Sequence, residues 1–173
     1  INYKATTTED TLLNLTNHAY FNLDGISGNT LDQKLQINAE KFLELDDEKI
    51  PTGNFIPMEN HAFDFRSSKN VVTGIDHCFV LKNNTEPAAI LESVKNGVTM
   101  KVYTDQPAVQ IYVGGKTSDE LQNKESVEYH TESGICFETQ VFPDAPNHED
   151  FPNAILRKGE TYQQNTTFQF IIS

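Results

Sequence analysis

The chain has 173 residues, of which 13 are basic and 25 acidic, giving a formal net charge of −12, and 37% are hydrophobic, including 11 Phe and 6 Tyr. That apolar content is too high for a disordered tail, and no apolar run approaches the roughly 20 residues of a membrane helix. The acidity argues against a nucleic-acid binder, whose footprint is a basic stripe, and the presence of only two arginines, Arg66 and Arg157, disfavours a site built for phosphates.

The opening INYKATTTED reads as an alternating strand followed by a polar turn. It has neither the charged nor the apolar region of a signal peptide. A chain whose first residue, Ile1, lies inside a strand is expected to be processed or a piece of a longer protein. Further strands are expected at residues 11–15, 31–39, 77–81, 89–93, 99–104, 108–113, 134–139 and 166–172. Turn signals separate them: Asp24-Gly25, Ser27-Gly28-Asn29, Pro51-Thr52-Gly53, Asn83-Asn84, Asn96-Gly97 and Lys158-Gly159. Asn96-Gly97, flanked by two apolar alternating runs, is a strong hairpin signal. Residues 39–49 have helix-forming composition, but Phe42, Leu43, Leu45 and Ile50 fit the helical period poorly, so a strand running into a turn is expected. Many short strands with regular turns predict an all-β fold, a sandwich or barrel. No repeat or linker divides the chain, so residues 1–173 read as one domain or part of one.

Two cysteines, Cys78 and Cys136, are too few for a disulfide framework and read as buried reduced thiols of a cytoplasmic protein. The sequons at Asn14, Asn83 and Asn165 are then chance matches.

Chemistry is sought where polar residues interrupt apolar strands, because a buried polar group needs a partner or a task. In residues 12–23, LLNLTNHAYFNL, an extended backbone would put Asn14, Thr16, His18 and Tyr20 on one face. In residues 134–142, GICFETQVF, Glu138 shares a face with Cys136 and Gln140, while Phe137 and Thr139 point the other way. A carboxylate sheltered from water has a raised pKa and suits a general base; the alternative is a glutamate on a solvated sheet face. Asp76-His77 opens a third apolar strand, where Asp76 is either a ligand contact or a turn cap. Gln110, in PAVQIYVGG, is an amide among apolar neighbours. His61, His130 and His148 lie in polar surroundings and read as surface. No metal-ligand spacing, nucleophile elbow or phosphate-cradling loop occurs.

Together, TNHAYFNL (16–23), IPTGNFIP (50–57), DHCFVL (76–81), PAVQIYVGG (107–115) and ETQVFPDAPNHEDFPNAILRKGETY (138–162) resemble, in order, the aldose 1-epimerases, or galactose mutarotases. The resemblance runs from about residue 11 to the C-terminus. It implies a large antiparallel β-sandwich with an open sugar cleft, acting on a free aldose such as galactose or glucose without metal or organic cofactor. Glu138 is similar to the family's general base and His18 to its general acid. Asp76 and Gln110 resemble its hydroxyl-binding residues. Tyr112-Val113-Gly114 departs from the family's YTG, which touches only local loop contacts. Family members are much longer. Their N-terminal part carries a further His and an Asn-Arg pair with no counterpart here, so the chain resembles the C-terminal half and is expected to need the missing half as its partner for activity. A non-catalytic sugar-binding sandwich and a hexose-6-phosphate epimerase are the competing readings.

Overall fold

Where apolar residues alternate with polar ones the chain is extended, and nearly all of these strands pair with antiparallel neighbours into two stacked sheets. The computed structural model describes residues 1–26, 28–82, 85–114, 126 and 129–172. In chain order the described strands are β1 (Asn2–Thr6), β2 (Thr11–Leu12), β3 (Tyr20–Phe21), β4 (Lys34–Ile37), β5 (Ala39–Leu45), β6 (Pro51–Pro57), β7 (Lys69–Asn70), β8 (Asp76–Leu81), β9 (Ala89–Glu92), β10 (Val98–Thr104), β11 (Ala108–Val113), β12 (Ile135–Gln140), β13 (Ile155–Leu156) and β14 (Thr161–Ile172). One six-stranded sheet has the order β1-β14-β10-β9-β4-β7 and the other β3-β12-β11-β8-β5-β6; β2 and β13 form a separate pair. The only helical elements among the described residues are single 3-10 turns, Thr30–Asp32 and Ala145–Asn147. No described helix is long and apolar enough to cross a membrane.

The core lies between the six-stranded sheets. Leu35, Leu91, Met100 and Val102 come from one, and Phe79, Val109, Ile111 and Phe137 from the other. All eight are essentially removed from water. Each such side chain stabilises the fold by about 1.5–3 kcal/mol relative to exposure.

The Asn96-Gly97 hairpin forms as expected between β9 and β10, with Gly97 at φ 76°. Residues 39–49 form β5 and a turn, not a helix. Three expectations are corrected. Residues 31–39 are not one strand: the chain bends at Asn38, leaves the sheet of β4 and enters the sheet of β5. Residues 11–15 keep only β2, paired with β13. Pro51-Thr52-Gly53 begins the edge strand β6 instead of turning the chain. There Gly53 sits at φ 92°, and a Cβ on it would lie 2.9 Å from the His148 ring, so glycine is needed both for the backbone angle and for the space. The turn signals at Ser27 and Asn83-Asn84 lie outside the described residues.

β3 pairs only with Ile135 and Cys136, so the outer edge of β12 runs on without a strand neighbour. Side-chain amides complete it. Asn14 accepts from Val141 N at 3.0 Å and donates to Val141 O at 2.9 Å. Gln164, fully buried on β14, donates to Thr139 O at 2.8 Å. The Thr139 and Thr166 hydroxyls meet at 2.6 Å in the interior. This polar clasp joins the sheets and fixes β12 from its core side. Leaving a buried carbonyl unpaired costs about 1–3 kcal/mol. We therefore expect Gln164→Ala to destabilise the protein by at least that much, measured as a shift in the urea midpoint at unchanged slope.

Candidate active site

The register of three neighbouring strands assembles the site. Gln110 on β11 lies opposite Glu138 on β12 and opposite Cys78 on β8. Two residues on, Tyr112 lies opposite Cys136 and Asp76, and Cys136 lies opposite Tyr20 of β3. Since alternate residues share a face, all of these side chains leave the sheet on the side away from the core. All of them but the fully buried Cys136 line an open cleft of about 780 Å³ that also includes His18 and Lys49. That volume lies in the range of small-molecule sites, roughly 300–1,000 Å³.

All four residues singled out in the sequence meet here. His18 Nε2 lies 3.3 Å from Glu138 Oε1; the Glu138 side chain is 13% exposed and that of His18 53%. Glu138 is therefore the sheltered carboxyl, not an outward residue on a solvated face. Burial pushes its pKa up, the facing His18 pulls against that, and the Asp76 charge adds to it. Asp76 is a cleft residue: its Oδ1 accepts from Gln110 Nε2 at 2.8 Å, and its Oδ2 lies 3.9 Å from Lys49 Nζ.

The face expected for residues 12–23 holds in part. His18 and Tyr20 do share the cleft, with ring centroids 5.2 Å apart. Asn14 is instead spent on the backbone of Val141, and the buried Thr16 hydroxyl has no hydrogen-bond partner. Sequence reasoning passed over Tyr112, although it alternates with Gln110 and so had to share its face. Lys49, in a polar turn, gave no signal.

Both cysteines are buried and free. Burial, with the Glu138 charge added, pushes the Cys136 thiol up to about 12 and Cys78 higher still, so neither is a nucleophile near neutrality. His18, Cys136 and Glu138 are the one described cluster with ligand atoms within 4.8 Å of one another. The imidazole, however, turns Nε2 to Glu138 and Nδ1 to the Cys136 sulfur at 3.5 Å, and does not aim one lone pair at a common centre. The arrangement is an imidazole set against a sheltered carboxyl.

Of the three histidines read as surface, only His130 is exposed. His61 is half-buried against Phe42 and Phe63, and half-buried His148 stacks on Phe151 with centroids 4.5 Å apart. Aromatic neighbours distant along the chain cover both rings.

A family model described as Aldose 1-epimerase matches residues 1–169. The chain belongs to the aldose 1-epimerase family. Galactose mutarotase of Mus musculus is 40% identical over 184 residues, a match covering 100% of this chain and 54% of that protein. Aldose 1-epimerase of Escherichia coli K12 is 35% identical, with 99% of this chain and 54% of that protein covered. The crystal structure of an aldose epimerase homologue from C. elegans superposes with a TM-score of 0.88 at 31% identity, over 99% of this chain and 55% of that one. Galactose 1-epimerase from Lactobacillus acidophilus gives 0.84 at 28% identity, over 99% and 52%. The chain thus spans about half the length of the relatives it matches. Its architecture is the antiparallel galactose mutarotase β-sandwich.

In this family member one titratable ring lies under the cleft. His77 points to the core side of β8, packs against Phe42 and Phe63, and accepts a hydrogen bond from Asp76 N at Nδ1. Burial lowers its pKa, with the Lys49 charge adding to the effect and Asp76 opposing it. Unfolded, it protonates near its ordinary value of about 6.5. Below that pH the unfolded state binds the extra proton, so the stability His77 contributes is full above pH 6.5 and is lost as pH falls. We expect Asp76 N to keep an acceptor in His77→Asn, and the loss of melting temperature between pH 7.5 and 5 to be smaller in that variant than in the parent. Equal losses would show that His77 protonates freely in the fold.

Proposed function

We propose that the protein to which this chain belongs is an aldose 1-epimerase, interconverting the α and β anomers of a free aldose such as galactose or glucose, with Glu138 as general base and His18 as general acid. The observation that carries this reading is the 3.3 Å pair of Glu138 and His18 inside a cleft whose floor holds the Asp76–Gln110 hydrogen bond. The names of the relatives, galactose mutarotase and aldose 1-epimerase, point the same way.

The reaction needs two groups in complementary protonation states at one acetal carbon. Ionised Glu138 takes the proton of the C1 hydroxyl. As the C1=O double bond forms, the C1–O5 bond breaks, and protonated His18 gives its proton to the departing ring oxygen. Rotation about C1–C2 turns the aldehyde over. The hydroxyl at C5 then attacks the other face, returning its proton to His18, while Glu138 re-protonates the new C1 oxygen. Each positioned transfer is worth about 10²–10⁴-fold. The burial that raises Glu138 makes it a stronger base. Asp76 and Gln110 orient the sugar through its hydroxyls, each of which can donate and accept. The proton transfers use these side chains alone and have no step that calls for a cofactor.

The same reading makes residues 1–173 the C-terminal part of one mutarotase-like domain, with a preceding half supplying the rest of the sugar contacts. Two free thiols suit a reducing, cytoplasmic setting. We expect the isolated 173 residues to anomerise α-D-galactose far more slowly than the full-length protein in a polarimeter. In the full-length protein, Glu138→Gln should cut kcat by about 10²-fold or more with the thermal melt preserved; near-normal mutarotation would refute the base assignment. His18→Asn should lower kcat more than it raises KM, and the reverse pattern would make His18 a binding residue.

A further inference from the structure

Lys49 lines the same cleft and was not among the residues expected there. It sits at the end of the turn between β5 and β6. Asp46 N donates to Ile50 O at 2.9 Å and Lys49 N to Asp46 O at 3.1 Å. The Asp46 carboxylate accepts from Glu48 N and Ile50 N, each at 2.9 Å. This bonding holds Lys49 at φ 69°, in the left-handed region that a lysine seldom occupies. The conformation aims its ammonium at Asp76.

The ion pair alone is a poor reason for that conformation. Lys49 Nζ and Asp76 Oδ2 are 3.9 Å apart, with side chains 64% and 41% exposed. Such solvated pairs contribute little. The separation is too long for a direct hydrogen bond and short enough for one oxygen between them, at about 2.7–2.9 Å from each group. Asp76 Oδ1 is already occupied by Gln110, so Oδ2 is the atom turned towards Lys49. A hydroxyl in the gap would donate to Oδ2 and accept from Nζ, using both of its capacities on charged partners. No other lysine or arginine among the described residues lines the cleft. With Asp76 and Glu138 both present, the site is biased against an anionic substituent and towards a neutral hydroxyl.

We propose that Lys49 is a substrate-anchoring, specificity-setting residue: one ring hydroxyl of the aldose is clamped between the Lys49 ammonium and the Asp76 carboxylate, on the same sheet face as the Glu138–His18 pair. This rests on the reading that the cleft takes an aldose. It adds a hydroxyl donor that discriminates among sugars by the position of one hydroxyl and leaves the proton transfers to Glu138 and His18.

The test uses the full-length protein and two variants. Lys49→Asn removes the ammonium with a residue that tolerates the left-handed backbone, so the turn survives. Lys49→Arg keeps a charged donor. Galactose affinity is measured by calorimetry, and kcat and KM by polarimetry. Hydrogen bonds to charged groups are worth about 1.5–3 kcal/mol, so Lys49→Asn should weaken binding and raise KM by roughly 10–100-fold with kcat little moved, and Lys49→Arg should recover part of the loss. The 2-, 3-, 4- and 6-deoxygalactoses then locate the clamp. The penalty of Lys49→Asn should collapse for the one analogue lacking the clamped hydroxyl and persist for the others. Unchanged galactose affinity in Lys49→Asn, or an equal penalty across all four deoxysugars, would overturn the clamp. A parent protein that binds galactose without anomerising it would sink the catalytic reading alone, since the binding series still decides Lys49; a parent that does neither would sink both.

Discussion

The site depends on the antiparallel register of β8, β11 and β12. Gln110 is opposite Glu138 on one side and Cys78 on the other, and Tyr112 is opposite Asp76. With a side-chain period of two, a slip of one residue in either pairing would turn Glu138 or Asp76 into the core. The apolar partners on the reverse face hold the register. Val109, Ile111, Phe79 and Phe137 fill the space between the sheets and leave no room for a carboxylate there. Burial of the core thereby positions the chemistry: the strands cannot shift without exposing large apolar side chains.

The clasp beneath β12 extends that logic to a polar interaction. Thr139 follows Glu138 directly and points inward, where its hydroxyl meets Thr166 and its carbonyl accepts from Gln164. A strand edge in a sheet interior must satisfy its carbonyls, and here an amide from the opposite sheet serves where β3 stops short. The Glu138 carboxylate thus stands on a strand tied from both sides, by β11 through the ladder and by β14 through side chains. Preorganisation of this kind matters for proton transfer, which is sensitive to displacements well below the length of a hydrogen bond.

Much of this was legible in the sequence. Strands such as 77–81, 99–104 and 108–113 show alternation that local propensity supports, and the structure has them to within a residue. Glu138 and Gln110 stood out because each interrupts an apolar run on a strand, and Asp76 because it opens one. Their convergence rests on pairing between segments far apart along the chain, which periodicity does not report. The failures share that cause. Pro51 and Gly53 are turn formers by intrinsic preference, yet pairing with β5 makes them an edge strand, and Gly53 is glycine because a distant histidine lies over it. Asn38 breaks an apparently continuous strand because the chain must change sheets there. His18 was singled out on an assumed extended face and by its motif, yet residues 13–19 are not a regular strand, so strict alternation is not what brings that ring to the cleft.

The cleft's electrostatics also differ from what the net charge of the chain suggests. A chain at −12 offers many acids, but in the cleft each carboxylate faces a cation or an imidazole: Glu138 with His18, Asp76 with Lys49. The Asp76 charge still reaches Glu138 and adds to the burial that raises it. The cation above Asp76 therefore has an electrostatic consequence at Glu138. By compensating Asp76, Lys49 limits the repulsion that Glu138 feels, while burial first and that same ammonium second lower the pKa of His77, the ring beneath the sheet. A hydroxyl seated between Lys49 and Asp76 would separate the two charges by one oxygen without removing either.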